Sequence, residues 1–217
     1  MTSAFDDVLR TTEDLRTLYR SPSATVEAKK VGRIDEGARR FIEGSPFCLL
    51  ATADGDGRCD VSPRGGPPGF VKVLDKNRLA IPDLSGNNLL DSLTNLLANP
   101  HAGLLFVLPG RDETLRVEGD AFLTTDPAIL ALWDDDLRRP KVAVGVAVRT
   151  AYVHCAKSFR RGRVWDAASW DEIAAPDVCE LIVGHVGLDV TPGDVRTLLE
   201  DSYRKDLEAE RAEQPAS

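Results

Sequence analysis

Three short stretches of the sequence carry groups suited to holding an anionic ligand. Ser62-Pro63-Arg64-Gly65-Gly66 places a hydroxyl, a guanidinium and two bare backbone positions together, a set that can grip phosphate oxygens through charge-assisted hydrogen bonds. Gly86-Asn87-Asn88 precedes a segment of helical apolar spacing. Free main-chain N–H groups and the positive end of a helix dipole would meet a phosphate there. The third stretch groups Lys157, Arg160, Arg161 and Arg163 beside Trp165. Its cations suit the charge of a phosphorylated aromatic ligand and its indole suits the ring. Each has a plainer reading as well: a solvated turn, a well-capped strand-to-helix turn or, for the basic stretch, a nucleic-acid contact.

Composition bears on the last of these. The 217 residues carry a net charge of −8, with excess acid at Asp134-Asp135-Asp136 and from Glu200 to Glu213, so no nucleic acid is expected as a partner. Hydrophobic content of 42% and charged content of 29% are ordinary for a globular chain. No apolar run is long enough to cross a bilayer, and no membrane association is expected. The start, Met1 to Asp7, carries acid where a secretory signal carries base, which makes a cytoplasmic location the expectation. Cys48, Cys59, Cys155 and Cys179 show no Cys-x-x-Cys spacing and read as reduced, buried thiols. His101, His154 and His185 share no ligand spacing, so no metal is expected. His154, at a strand end, is a candidate proton donor or acceptor and equally a structural histidine. The usual dinucleotide, hydrolase-elbow and zinc-protease motifs are absent from the sequence.

Alternation and turn chemistry define the elements that must position these groups. Phe47 to Ala53 and Arg58 to Ser62 flank Asp54-Gly55-Asp56-Gly57 as a β-hairpin. Phe70 to Leu74 and Arg78 to Pro82, joined by Asp75-Lys76-Asn77, extend it as a meander. A helix over 89–98 shows Leu90, Leu93, Leu96 and Leu97 on one side, with Asn88 as N-cap and Asp91 three residues on. Strands follow over 101–108 and 114–124, the latter with Leu115, Val117, Gly119 and Ala121 opposite Arg116, Glu118 and Asp120. Asp126-Pro127 opens a short helix through Leu130, Leu132 and Trp133. In the strand over 141–154, Val142, Val144, Val146 and Val148 point to a core, and Ala143, Gly145 and Ala147 leave room for something flat or a second subunit.

Before the hairpin, Phe5, Val8, Leu9, Leu15, Leu18 and Tyr19 mark one amphipathic helix, and residues 25–43 mark a second. After the barrel come an apolar run over 178–186 and a helix opened by Thr191-Pro192, with Val195, Leu198, Leu199 and Tyr203 as its buried side. Residues 208–217 read as a frayed tail. The fold expected is mainly β with α (α+β): an antiparallel sheet of six or more strands curled into a barrel, with peripheral helices. One domain is expected, with N-terminal helices over 1–44, the barrel over 45–170 and a C-terminal helical extension over 171–217.

Taken in order, Ser45 to Gly57, Asp60-Val61-Ser62-Pro63-Arg64-Gly65, Pro68 to Val71, Gly86-Asn87-Asn88, Leu90-Asp91-Ser92, Glu113 to Gly119 and Ala151 to Lys157 followed by Arg163-Val164-Trp165 resemble the FMN-binding split barrels related to pyridoxamine 5′-phosphate oxidase. The resemblance implies a homodimer with flavin at the interface. It assigns Arg64 and Gly86, Asn87 and Asn88 to the FMN phosphate, Ser62 and Pro63 to the flavin, Ile81 and Pro82 to its ribityl chain, and Arg116 to the ring edge. Lys157, Arg163 and Trp165 would reach in from the other subunit. Relatives often have a basic residue where this chain has Leu89 and an acid where it has Gly66. The function implied is an FMN-dependent oxidoreductase acting on a small-molecule redox substrate. The alternatives are a non-catalytic flavin, deazaflavin or haem carrier or sensor, or a structural dimer with a degenerate site.

Overall fold

The computed structural model describes residues 5–86, 88–172, 177–187 and 189–212. Seven strands, β1 (Phe47–Ala53), β2 (Cys59–Gly65), β3 (Lys72–Asp75), β4 (Arg78–Pro82), β5 (His101–Val107), β6 (Thr114–Thr124) and β7 (Ala143–His154), form one sheet in the order β2-β1-β5-β6-β7-β4-β3. Every pairing is antiparallel. Among the described residues β2 and β3 do not pair, so the barrel is split at that seam. The expected meander is therefore corrected. The second neighbour of β1 is β5, and the β3–β4 hairpin sits beside β7 at the far end of the order.

Period-two alternation builds the core. Cys48 and Leu50, Leu104 and Phe106, Leu115 and Val117, Val144 and Val146, and Leu79 and Ile81 all meet in one buried cluster. The β6–β7 register passes from Glu118↔Thr150 to Gly119↔Val148, leaving Arg149 as the extra residue of a bulge. Because of that residue, the inward face of β7 changes from Val144, Val146 and Val148 to Ala151. Outside the barrel, α5 (Pro127–Leu130) and the 3-10 turn Ala131–Trp133 lay the Trp133 indole over Ala143 and Ala80. Its Nε1–H donates to the Phe70 carbonyl at 2.7 Å. Part of the small-residue face of β7 is thus covered by the chain's own tryptophan.

The N-terminal helices differ from the pattern in the sequence. α1 (Thr12–Leu18) starts only at the Thr11–Asp14 capping box and buries no side chain. The segment over 25–43 is two helices, α2 (Ala24–Ala28) and α3 (Glu36–Gly44). Between them Val31 exchanges main-chain hydrogen bonds with Ala151, and the Ile34 N–H reaches the Lys76 carbonyl at 2.7 Å. Asp35 then caps α3 through the Ala38 N–H, and Ile42 enters the core.

α4 (Asp91–Ala98) buries Leu93 and Leu96, whereas Leu90 and Leu97 stay exposed. α6 (Lys157–Arg161) follows β7. At the C-terminus, α7 (Val178–Val186) and α8 (Pro192–Ala212) bury Cys179 and Val195. Leu198 and Tyr203 are exposed, against expectation, and helix continues through 208–212. The remainder of the expected tail, 213–217, lies outside the described residues. No helix among the described residues is long and apolar enough to cross a membrane.

Candidate functional site

The site begins at the β1–β2 turn. The Asp54 carboxylate accepts from the Asp56 and Arg58 N–H groups, and Gly57 supplies the positive φ of 82° that closes the turn. The resulting register sets Asp60, Ser62 and Arg64 opposite Thr52, Leu50 and Cys48. These three polar side chains therefore share one face of β2. Pro63 is tolerated because β2 is an edge strand.

The second wall comes from residues 83–93. Arg64 Nη1 donates to Asp83 Oδ1 at 2.9 Å. Ser92 Oγ donates to Asp60 Oδ2 at 2.8 Å, so its contact with Ser62 Oγ at 3.0 Å has Ser62 as donor. This relay ties the first turn of α4 to β2. The residue before the helix is Leu90, held at a φ of +60° with no side-chain cap. Asn88 is not the N-cap; it lies in the preceding turn with a φ of +58°. Among the described residues no side chain caps the first turn of α4, which lines the cleft together with the arginine.

Between these walls lies a cleft of about 450 Å³, lined by residues 60–64, 83–86 and 88–93. Among the described residues that line it, Arg64 is the single cation, and Asp60, Asp83 and Asp91 are the carboxylates. The Arg64 side chain is 20% exposed, and its Nε is buried without a hydrogen-bond partner. An orphaned donor of this kind costs on the order of 1–3 kcal/mol, and an anionic ligand would satisfy it. On that test the residues fit a phosphate. No metal-holding group of His, Cys, Asp or Glu occurs among the described residues.

Of the residues singled out in the sequence, Ser62, Pro63, Arg64, Gly86 and Asn88 line this cleft together. Asn87 lies outside the described residues. Ile81 and Pro82 are buried at the end of β4 and do not line it. Arg116 sits on the outer sheet face, pairing with Glu118 at 2.7 Å and donating to the Tyr152 hydroxyl. Lys157 is exposed on α6, Arg163 pairs with Asp166, and the Trp165 indole donates to the Arg111 carbonyl and packs on Phe159. Within one chain none of these four reaches the cleft.

Leu89 lines the cleft rim and is exposed. Gly66 has a steric reason, because a Cβ there would lie 2.7 Å from the Phe70 Cβ. Asp60, Asp83 and Ser92 were missing from the expected site. Alternation with Ser62 and Arg64 could have found Asp60, whereas Asp83 and Ser92 join only through the fold.

Beneath Arg64, burial pushes the Cys48 thiol up to about 12, with the guanidinium charge pulling weakly the other way. Burial thus keeps Cys48 in the unreactive thiol form at pH 8. Cys48 and Cys179 are buried and Cys59 and Cys155 exposed, all four free. This corrects the expectation of four buried thiols. Mass-resolved alkylation of the native protein at pH 8 should label Cys59 and Cys155 while Cys48 stays unmodified; rapid labelling of Cys48 would contradict this packing.

Comparison with curated proteins returned no match. Among solved structures, HupZ of Group A Streptococcus is 17% identical with a TM-score of 0.46, the match covering 55% of this chain and 93% of that one. HutZ, the haem storage protein of Vibrio cholerae, is 14% identical with a TM-score of 0.40, covering 56% and 94%. A pyridoxamine 5′-phosphate oxidase-related, FMN-binding protein of Nostoc punctiforme is 17% identical with a TM-score of 0.36, covering 48% and 70%. The family model for pyridoxamine 5′-phosphate oxidase matches residues 34–155, more than half of the chain and the span from the first core residue of the N-terminal region to the end of β7. The chain belongs to the pyridoxamine 5′-phosphate oxidase family.

Proposed function

We propose that the chain binds FMN in the cleft between β2 and α4 and acts as an FMN-dependent oxidoreductase in the form of a homodimer. The buried Arg64 Nε–H without an acceptor carries this reading. A flavin phosphate supplies the missing acceptor, and the uncapped first turn of α4 adds main-chain donors beside it. When bound, FMN supplies the redox chemistry, passing electrons from a donor to an acceptor.

The chain's own groups bind and orient. Arg64 exchanges part of its pairing with Asp83 for the phosphate, and the Ser62–Ser92–Asp60 relay fixes the wall on which the ligand rests. Arg116 is assigned to the ring edge. Lys157, Arg163 and Trp165 are assigned to the partner's cleft; they are not among the residues lining the cleft of their own chain.

The test is the absorption spectrum of purified protein before and after FMN addition and gel filtration, with light scattering on the same sample. Retained oxidised-flavin bands in a dimer, and repeated reduction by a nicotinamide donor, are the expected result. Colourless protein that takes up no added FMN would overturn the flavin reading. Tight haem binding without redox turnover would replace it with a carrier.

A further inference from the structure

The segment over 83–86 has a second neighbour besides the Arg64 cleft. Ser85 lines that cleft, and its hydroxyl donates to Glu210 Oε1 of α8 at 2.8 Å. Asp206, one helical turn earlier on the same face, joins Glu210 in lining an outer cleft of about 280 Å³, which also contains Gly86 and Asn88 and the basic residues Arg138, Arg139 and Lys141. Leu207 and Leu84 line the adjoining cleft with Leu137. The end of α8 therefore touches this loop through a charged hydrogen bond, and its two carboxylates line one cleft with three cationic side chains.

The rest of α8 is lightly held. Val195 near its start is buried, but Leu198 and Tyr203 are exposed, and Leu207 itself is 54% exposed. A helix anchored at one end and docked by a few groups at the other opens locally at little cost. Two negative charges at the loop oppose a dianion arriving on its other side, where Asp60, Asp83 and Asp91 already stand.

We propose that the C-terminal end of α8 is an autoinhibitory strap: Glu210 holds Ser85 in the 83–86 segment of the free protein and is displaced when a phosphate-bearing ligand enters the Arg64 cleft. This rests on the reading of that cleft as a phosphate site. The strap lowers affinity for any anionic ligand and couples loading of the cleft to release of the C-terminal helix.

The experiment uses the full chain, with FMN as probe, and compares wild type with Glu210→Gln. The glutamine keeps an oxygen that can accept from Ser85 and removes the charge. FMN dissociation constants come from flavin fluorescence, and hydrogen exchange reports the 204–212 segment with and without FMN. The expected results are a Kd lowered about three- to tenfold in Glu210→Gln and faster exchange of 204–212 when wild type is saturated. An unchanged Kd, or exchange that FMN leaves unchanged or slows, overturns the strap. Where wild type binds no FMN, it is the flavin reading that fails, and the strap is then judged in the free protein. There Ser85→Ala must speed exchange of 204–212, and unaltered exchange overturns the docking itself.

Discussion

Replacing Arg64 with methionine should raise the Kd for FMN by about 10- to 150-fold, the effect of losing hydrogen bonds from a charged donor worth about 1.5–3 kcal/mol. The side chain keeps its aliphatic length over Cys48, so the packing beneath it survives. The substitution also leaves Asp83 without its partner. Both side chains are less than a quarter exposed, so losing the pair costs about 1 kcal/mol, which removal of the orphaned Nε donor offsets, and the flavin-free melting temperature should change little. Thermal melts without flavin measure that part separately. Asp83→Asn supplies the opposite arm: it removes the carboxylate that competes for Arg64 and should tighten FMN. Equal Kd values for wild type and Arg64→Met, in a protein that does bind flavin, would place the phosphate elsewhere.

Gly119→Val should strongly destabilise the barrel. A Cβ at residue 119 would lie 2.1 Å from the Ala147 carbonyl oxygen and 2.9 Å from its carbon. Both are backbone atoms of β7 next to the Arg149 bulge, so no side-chain rotation relieves the overlap. The cost is at least about 3 kcal/mol, which for a chain of this size lowers the melting temperature by about 6–12 °C. Gly86→Ala is the control, since nothing lies within 4 Å of a Cβ built there, and it should melt within about 1 °C of wild type. Circular dichroism melts of the two variants decide the matter. A Gly119→Val protein as stable as the control would show that the bulge can reorganise.

Much of the frame was legible because it is written at short range. The Asp54-Gly57 turn and its alternating flanks fold as the expected hairpin. The valine side of β7 faces the core, and Asp126 caps the helix opened by Pro127. In each case the deciding residues are neighbours in the chain: side chains two apart share a strand face, and a capping oxygen needs an N–H two or three residues on.

The start of α4 was misread for the converse reason. Local preference names Asn88 as the cap, but Ser92 is tied to Asp60 and Ser62 from a strand thirty residues away, and Leu93 and Leu96 are held in the core. Those contacts set the helix start at Asp91 and leave Leu90 in a left-handed conformation that no local rule would choose for it.

By itself, then, the sequence determined the strands, the polarity of their faces, and Ser62 and Arg64 as phosphate-suited groups on one side of a strand, since each follows from period and residue type. Only the tertiary structure decided the neighbours. It pairs β1 with β5, draws Val31 onto β7, places Asp83 and Ser92 across from Arg64, and brings Glu210 to Ser85. Pairing partners and shared clefts depend on closing long loops around a common core, and that closure is selected by the total apolar burial of the assembled sheet rather than by any stretch of residues alone.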